Sequence, residues 1–324
     1  MSNRIASDLL CYLLILYGVL LRADVSGSQS IHFFDSDPLT HKPENLTFML
    51  ERNKIILNAS CGGSGPLKVI LDTGMAFEGL FLYKKELIAQ LGILDTTRYS
   101  VGGAGNQSPS TAVTRDSMSF SVGDIVFFNQ RIIILNNDRF KGFPSDGVVG
   151  YSIFGNHDVH IDYDRHLISL YQPGEFKPDA SWTAIPISFK DNKIPWIDAS
   201  VNTRGDKDVQ LSMYIDLASG EGVELLMRDK MKFSLPDNLE ESYLGRGVSG
   251  DIYGYIGYSE KLVIGPYQFH RVKTAFAPSE IRSKQKGADG VLGNNALRRF
   301  NIIFSYSTGL LYLRPNASYS QPFE

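Results

Sequence analysis

Short apolar runs bounded by Gly, Pro or Asp recur along the chain and predict β-strands. Residues 67–71 form one such run, between a Gly-Gly-Ser-Gly-Pro segment and an Asp-Thr-Gly segment, and predict a buried central strand. Val159, Ile161 and Tyr163 alternate with polar residues, so this second strand is expected to turn its other side to solvent. Frequent short strands of this kind indicate an all-β protein.

Helical spacing is rarer than strand patterning in this sequence. Residues 82–91 place four aliphatic side chains at helical spacing and predict a short helix directly after the first Asp-Thr-Gly motif. Residues 226–233 form a weaker counterpart in the second half. We therefore expect only a few short helices among the strands.

The chain repeats one pattern in its two halves. An aliphatic run ends in Asp72-Thr73-Gly74 in the first half and in Asp216 followed by Leu and Ala in the second. An Asp-Gly-Val-aliphatic-Gly run then begins 74 residues after Asp72, and its counterpart begins 73 residues after Asp216. Repetition in one register predicts two homologous β-barrel lobes related by a pseudo-twofold axis, each contributing one carboxylate to that axis.

Composition supports two lobes. With 324 residues the chain can build two cores, because a single core usually stops growing near about 250 to 300 residues. We expect an N-terminal lobe at 45–173, a linker at 174–184, a C-terminal lobe at 185–315 and a tail at 316–324. The formal net charge of −3 provides no basic surface for nucleic acid, and we expect a monomer without a nucleic-acid partner.

The N-terminus has the pattern of an export signal. Arg4 precedes an apolar stretch from Leu9 to Leu21, which has the length of a signal-peptide core, whereas spanning a bilayer takes about 20 residues. We predict a signal peptide at 1–27, an N-terminal arm at 28–44, and an exported protein, periplasmic or extracellular, without membrane association after signal removal. An uncleaved signal-anchor is the alternative. The sequence also leaves open whether the arm is a removable pro-segment.

Other chemistry has little support in the sequence. Cys61 would be the only thiol left after signal removal, so no intrachain disulfide or cysteine metal site is expected. His157, Asp158, His160 and Asp162 form a polar group, but the strand pattern would turn His160 and Asp162 to solvent, and we expect no metal. The nucleophile elbow Gly-x-Ser-x-Gly is missing from the sequence. We therefore expect neither a cofactor nor covalent catalysis.

Two glycine-rich segments each lie between the Asp motif and the Asp-Gly-Val run of their own lobe. The first contains Gly102, Gly103 and Gly105, and the second contains Gly247 and Gly250. Neither has the Gly-Lys-Ser/Thr ending of a phosphate-binding loop. Two interpretations stay open: tight surface turns that need glycine for positive φ, or hairpins that close over a bound ligand.

The motifs resemble those of a known family. An aliphatic pair before Asp-Thr-Gly, with a hydrophobic-Gly run some 70 residues later, is similar to the pepsin and retropepsin superfamily of aspartic peptidases. The resemblance is strongest to exported single-chain members whose two lobes are each retropepsin-like, and it covers about residues 45 to 315. It implies a peptide-binding cleft between the lobes, with the glycine-rich segments as flaps over it.

The same resemblance assigns roles to residues. It implies that Asp72 and Asp216 are the catalytic carboxylates, and that Thr73, Gly74 and Ser219 support the loops that carry them. Two carboxylates about 3 Å apart cannot both ionise readily, so one keeps a proton. The ionised carboxylate can then take a proton from a water while the protonated one hydrogen-bonds the scissile carbonyl. The implied function is an aspartic endopeptidase that acts on peptide or protein substrates.

The second motif departs from the family pattern. Leu217 stands where Thr is usual, and Ala218 where Gly is usual. In the family the two Thr hydroxyls bond the catalytic loops to each other, and Leu217 has no hydroxyl. A catalytically silent protein that binds peptides or a protein partner is therefore the alternative. A glycosidase is a third possibility and would need its carboxylates roughly 5 Å or more apart.

Overall fold

The computed structural model describes residues 43–94, 97–190, 193–205, 207–282 and 285–323. The predicted signal peptide and nearly all of the predicted N-terminal arm lie outside the described residues. Within the described ranges the chain folds into three β-sheets with a few short helices, which confirms the all-β prediction.

The first half of the chain builds an eight-stranded sheet. Its strands, in spatial order, are β2 (Met49–Glu51), β3 (Lys54–Cys61), β4 (Leu67–Leu71), β9 (Gly147–Val149), β5 (Gly79–Leu82), β8 (Ile125–Leu135), β7 (Ser110–Val122) and β6 (Tyr99–Val101). β4 lies between antiparallel β3 and parallel β9, and its Val69 and Leu71 have no exposed surface. The apolar run is thus a buried central strand, as predicted.

The second half builds an eight-stranded sheet of the same topology. Its strands, in spatial order, are β13 (Ser188–Phe189), β14 (Pro195–Asn202), β15 (Val209–Asp216), β20 (Gly290–Gly293), β16 (Val223–Met227), β19 (Tyr267–Pro278), β18 (Gly250–Ile264) and β17 (Glu240–Gly247). The parallel pairs β4–β9 and β5–β8 of the first lobe recur as β15–β20 and β16–β19. The predicted duplication into two homologous lobes is confirmed.

A six-stranded sheet joins the two halves. Its strands, in spatial order, are β1 (Glu44–Thr47), β11 (Leu167–Tyr171), β10 (Asp158–Asp162), β21 (Phe300–Ser305), β22 (Leu310–Pro315) and β12 (Thr183–Pro186). Each half contributes three strands, and β10 pairs antiparallel with β21 across the middle. Both lobes therefore rest on one shared sheet with a continuous apolar core.

The described helices are short. They are α1 (Glu86–Gln90), α2 (Tyr151–Phe154), a 3₁₀ helix at Ser279–Arg282, and α3 (Asn294–Leu297). α1 confirms the helix predicted over 82–91 but is shorter, because Leu82 ends β5. The counterpart expected at 226–233 is wrong: Leu226 and Met227 belong to β16, and residues 228–233 form no helix. Pairing of Leu226 with Ala277 of β19 overrides its helical spacing.

The expected solvent-facing side of β10 is also wrong. Asp162 is only 8% exposed, and its carboxylate accepts a hydrogen bond from the Arg165 amide at 2.9 Å. His160 is half-buried, and its ring centroid lies 5.5 Å from that of Trp182. This face of β10 is covered because Phe176 and Trp182, from the segment between β11 and β12, pack against His160.

The segments expected to be a linker and a tail have defined structure. Residues 174–184 connect β11 to β12 and end within β12. After β22 the chain returns to the C-terminal lobe, where Arg299 donates hydrogen bonds to the carbonyls of Ser318 and Pro322 at 3.2 and 3.0 Å. Phe323 is 8% exposed, and the Arg299 guanidinium lies 3.7 Å from its ring centroid. These contacts fix the C-terminal segment on the lobe.

Candidate active site

Asp72 and Asp216 occupy equivalent places in the two lobes. Asp72 follows the last residue of β4, and its amide donates to the Val149 carbonyl of β9 at 2.9 Å. Asp216 is the last residue of β15 and pairs with Gly293 of β20. In each lobe a central strand therefore ends at a carboxylate beside its parallel neighbour. The structure brings together the two carboxylates that the sequence analysis singled out.

Backbone amides hold both carboxylates. The Gly74 amide donates to Asp72 Oδ1 at 2.6 Å, and the amides of Ala218 and Ser219 donate to Asp216 Oδ1 at 2.9 and 3.2 Å. A Cβ placed on Gly74 would lie 3.0 Å from Asp72 Oδ1 and 3.8 Å from Asp216 Oδ2. Both carboxylates thus face Gly74, where a larger residue would crowd them.

The hydrogen bonding between the loops that carry Asp72 and Asp216 is one-sided. Thr73 Oγ1 donates to the Ile215 carbonyl at 2.8 Å and accepts from the Leu217 amide at 3.1 Å. Leu217 is fully buried and has no hydroxyl with which to return these bonds. The hydrogen bonds from Thr73 to the second loop, which the resemblance implies, are therefore present. The corresponding bonds from the second loop to the first are replaced by apolar packing of Leu217.

A cavity of about 500 Å³ opens above the two carboxylates and is lined by both lobes. On the N-terminal side its wall is apolar and largely aromatic. We call this wall the N-lobe pocket; it consists of Ile70, Phe81, Tyr83, Phe140 and Phe143. The rings of Tyr83 and Phe140 stack with centroids 4.1 Å apart, and Phe143 contacts both edge-on.

On the C-terminal side the wall carries charge. We call it the C-lobe pocket; it consists of Tyr214, Glu224, Ile252, Ile281 and Arg282. The strand registers relate the two walls position by position. Phe81 pairs with the Val of the first Asp-Gly-Val run, and Glu224 pairs with the Val of the second. Ile70 and Tyr214 pair with the same two valines from the other side.

Arg282 links this charged wall to the candidate dyad. Its Nε lies 2.9 Å from Glu224 Oε1 and its Nη2 3.2 Å from Glu224 Oε2, a bidentate arrangement. Its Nη1 lies 3.6 Å from Asp216 Oδ2. The side chains of Arg282 and Glu224 are 13% and 5% exposed. A permanent positive charge therefore stands beside one carboxylate of the pair and at a distance from the other.

Burial dominates the titration of the site. Burial and, after it, the neighbouring charge of Asp216 together raise the pKa of Asp72 to about 7, although the Gly74 amide and Arg282 oppose the rise. Burial also raises the pKa of Asp216, with Arg282 as the main opposing influence. Lys54 lines the same cavity, and burial lowers the pKa of its ammonium against the pull of Asp216 and Asp72. The two carboxylates titrate as a pair, because each charge raises the other's cost of ionisation.

Two hairpins cover the cavity. One joins β6 to β7 through the Gly102 segment, and the other joins β17 to β18. Their tips bond to each other through the main chain: Gln107 N donates to Ser249 O at 2.8 Å, and Ser249 N donates to Ala104 O at 2.9 Å. Gly103 N adds a bond to Ser249 Oγ at 3.1 Å. The hairpins of the two lobes form one roof.

This meeting of the tips explains the glycines. A Cβ on Gly105 would lie 2.4 Å from the Ser249 carbonyl carbon, and a Cβ on Gly247 would lie 2.2 Å from the Ala104 oxygen. Gly250 likewise lies against Gln107. The close approach of the two hairpins therefore requires glycine at these positions, in addition to any requirement of the turns themselves.

Comparison with known proteins identifies the fold. Neither the family models nor the curated protein sequences contain a match to this chain. Among solved structures, the crystal structure of an aspartic proteinase from Irpex lacteus matches 86% of this chain and 99% of its own, at 10% sequence identity and a TM-score of 0.50. The chain has the two-lobed fold of an aspartic proteinase. At this identity the likeness establishes the fold alone, so the chemistry must be argued from the residues.

Among the described residues, no group of three or more His, Cys, Asp or Glu side chains is arranged to hold a metal ion. In those same ranges no helix is long and apolar enough to cross a membrane.

Sequence reasoning assigned no role to the apolar wall of the cleft or to the polar residues near the two carboxylates. Lys54, Tyr214, Glu224 and Arg282 all line the cleft, and the charges of Lys54, Glu224 and Arg282 shift the pKa of Asp216. One signal was available: Glu224 interrupts the apolar run of β16, and a charge in a buried strand requires a partner. That partner, Arg282, lies 58 residues further along the chain and had no such signal.

Proposed function

We propose that this chain is an aspartic endopeptidase, hydrolysing peptide bonds with a water activated between Asp72 and Asp216. The observation that carries the proposal is the equivalent placement of the two carboxylates, one from each lobe, at the floor of a shared cleft. Each accepts an amide hydrogen bond from the residue two positions later, which keeps its oxygens aimed at the cleft. A pKa of about 7 for Asp72 supports a proton being retained on the pair in the acid and near-neutral range.

Arg282 gives the two carboxylates different roles in this proposal. Its guanidinium stabilises the charged form of Asp216, so the shared proton resides on Asp72. Asp216 then accepts a proton from the water, which attacks the scissile carbonyl carbon, while Asp72 donates a hydrogen bond to the carbonyl oxygen. The tetrahedral intermediate collapses with proton transfer to the leaving nitrogen, and no covalent enzyme intermediate forms.

The roof of hairpins suits a peptide substrate. Its tips must part to admit a chain and can rejoin above it, which would exclude water from the reacting bond. An extended peptide under β6–β7 and β17–β18 could pair with them as an added strand. The glycines at 102, 103, 105, 247 and 250 are thus proposed to belong to substrate flaps.

The test is hydrolysis of a peptide library by the unsubstituted protein and three variants. Asp72→Asn and Asp216→Asn should each abolish cleavage, whereas Asp198→Asn, an exposed aspartate of β14, should leave it unchanged. Thermal unfolding of all four proteins checks that the fold persists. Undiminished cleavage by the Asp72→Asn variant would exclude the proposed dyad.

A second candidate is a catalytically silent protein that binds peptides. Two observations favour it: the Arg282 guanidinium beside Asp216, and Leu217 in place of a hydroxyl residue. If Arg282 holds Asp216 too strongly as an ion pair, that carboxylate is a poor base. Saturable peptide binding without cleavage between pH 3 and pH 8 would support this candidate over the endopeptidase.

A further inference from the structure

The C-lobe pocket holds a hydrogen-bond donor that has no partner among the described residues. The Tyr214 hydroxyl is buried without a hydrogen-bond partner among the described residues, in a side chain that is 1% exposed and lines the cleft. An unpartnered buried hydroxyl is unusual in a native structure, because the desolvation of the group is left uncompensated. A hydrogen-bond acceptor on a bound molecule could supply the missing partner.

Arg282 adds a second donor at the same wall. Glu224 engages two of its three guanidinium nitrogens, Nε and Nη2, while Nη1 stands 3.6 Å from Asp216 Oδ2, beyond direct hydrogen-bond distance. The guanidinium carbon lies 5.8 Å from the Tyr214 ring centroid, so both donors belong to one small region. Ile252 and Ile281 line the same pocket and offer apolar contact to methylene groups.

We infer that the C-lobe pocket binds a substrate side chain ending in a planar acceptor oxygen, a carboxamide or carboxylate. The acceptor oxygen receives the Tyr214 hydroxyl hydrogen and faces Arg282 Nη1, and its methylenes lie against Ile252 and Ile281. This rests on the proposed function only in taking the ligand to be a peptide, since selective binding does not require cleavage.

The physical reason lies in the comparison of the two walls. A hydrocarbon side chain entering the C-lobe pocket would leave the Tyr214 hydroxyl unpaired and would strip water from the Arg282–Glu224 pair. The N-lobe pocket has Ile70 and Phe81 at the equivalent strand positions, in the same wall as the stacked rings of Tyr83 and Phe140, and therefore favours apolar side chains. We therefore expect the two pockets to prefer opposite classes of side chain, polar and apolar, at neighbouring positions of one bound peptide.

The experiment uses octapeptides that contain Phe beside one varied residue, in both orders, with the varied residue Gln, Glu or Met. These three side chains have similar length and differ in the terminal group. Dissociation constants are measured by calorimetry on the full-length Asp72→Asn protein, so that no peptide is consumed. In at least one of the two orders, Gln and Glu peptides should bind about 10-fold more tightly than the Met peptide. Either ranking of Gln against Glu supports the inference.

Tyr214→Phe in the same background removes one oxygen and should bring the Gln-to-Met ratio close to one. The free energy of unfolding of this variant, measured in urea, should be unchanged or slightly higher, since the hydroxyl has no hydrogen-bond partner to lose. Tyr83→Phe, in the N-lobe pocket, is the matched control and should keep the ratio. Equal or tighter binding of the Met peptide in both orders, or a ratio that survives Tyr214→Phe, would overturn the inference.

Cleavage by the unsubstituted protein is scored separately. Selective binding without cleavage contradicts the endopeptidase and leaves the inference standing. Cleavage without selection at this position contradicts the inference alone.

Discussion

The two walls of the cleft have the same backbone and opposite chemistry. Phe81 and Glu224 occupy equivalent strand positions, as do Ile70 and Tyr214, yet one wall is aromatic and the other carries a buried ion pair. The contrast teaches that the duplicated strand order fixes where a side chain points, whereas it leaves the identity of that side chain free to diverge. Asp72 and Asp216, and the amide hydrogen bonds that hold their carboxylates, retain the symmetry.

The divergence has an energetic side. Aromatic packing in the N-lobe pocket stabilises the fold as it forms the wall. A buried Arg–Glu pair contributes little net stability, because the desolvation of two charges offsets their attraction. We therefore interpret the pair of Arg282 and Glu224 as serving the charge state of Asp216 and the binding of substrate more than the stability of the lobe.

The largest effect should come from breaking this pair. Arg282→Met alone leaves the buried Glu224 carboxylate uncompensated and should lower the free energy of unfolding by about 3–5 kcal/mol. Glu224→Met alone should cost less, because Arg282 keeps Asp216 as a partner, and the double variant should recover most of the loss caused by Arg282→Met. Urea unfolding of the four proteins of the cycle measures the coupling.

The bidentate pair of Arg131 and Asp116 provides the matched control. It has similar geometry, with Nε 2.6 Å from Oδ1, but its side chains are 54% and 62% exposed. Its coupling should stay below about 1 kcal/mol, because solvent screens the charges. Simple additivity at Arg282 and Glu224 would show that the two charges do not depend on each other, and the contrast between the walls would lose its energetic basis.

The features that could be predicted from the sequence are those set by its internal repeat. The features that were missed depend on contacts between residues far apart in the chain. Asp72 and Asp216 were identifiable because each ends an apolar strand at the same register of a repeat. The ion pair of Glu224 and Arg282 was missed, because two residues 58 positions apart meet only through the order of β16, β19 and β20 in the sheet. The meeting of the two hairpin tips was missed for the same reason. The helix predicted at 226–233 is wrong because the pairing of β16 with β19 in the sheet overrides the helical spacing of the apolar residues.

The next effect concerns pH and tests whether the proton resides on Asp72. Burial raises its pKa from 3.8 to about 7 on folding, so the folded chain holds a proton that the unfolded chain releases. The resulting stability is fully present below about pH 4 and is lost as pH rises through about 7, a change of up to about 4 kcal/mol. Relative to the unsubstituted protein, Asp72→Asn should therefore become more stable as pH increases over this window. Cleavage should fall above about pH 7 for the same reason.

Urea unfolding of both proteins at each pH measures the difference, which cancels the titration of groups elsewhere in the chain. Asp198→Asn serves as the control and should parallel the unsubstituted protein. A difference that stays constant from pH 4 to pH 8 would mean that Asp72 is ionised throughout, and the assignment of acid and base roles would fail.

The smallest effect tests the remaining asymmetry, between Thr73 and Leu217. Thr73→Val removes a hydroxyl that serves both the Ile215 carbonyl and the Leu217 amide, and should cost about 1–3 kcal/mol. Leu217→Thr should change the free energy of unfolding by no more than about 1 kcal/mol, because hydrogen bonds of a new hydroxyl opposite Thr73 offset most of the loss of two buried carbon atoms. A loss of several kcal/mol would show that the C-terminal loop depends on hydrocarbon packing. In that case the one-sided bond is a settled feature of this lobe, and the loops do not need a reciprocal pair of hydroxyls to hold the two carboxylates in place.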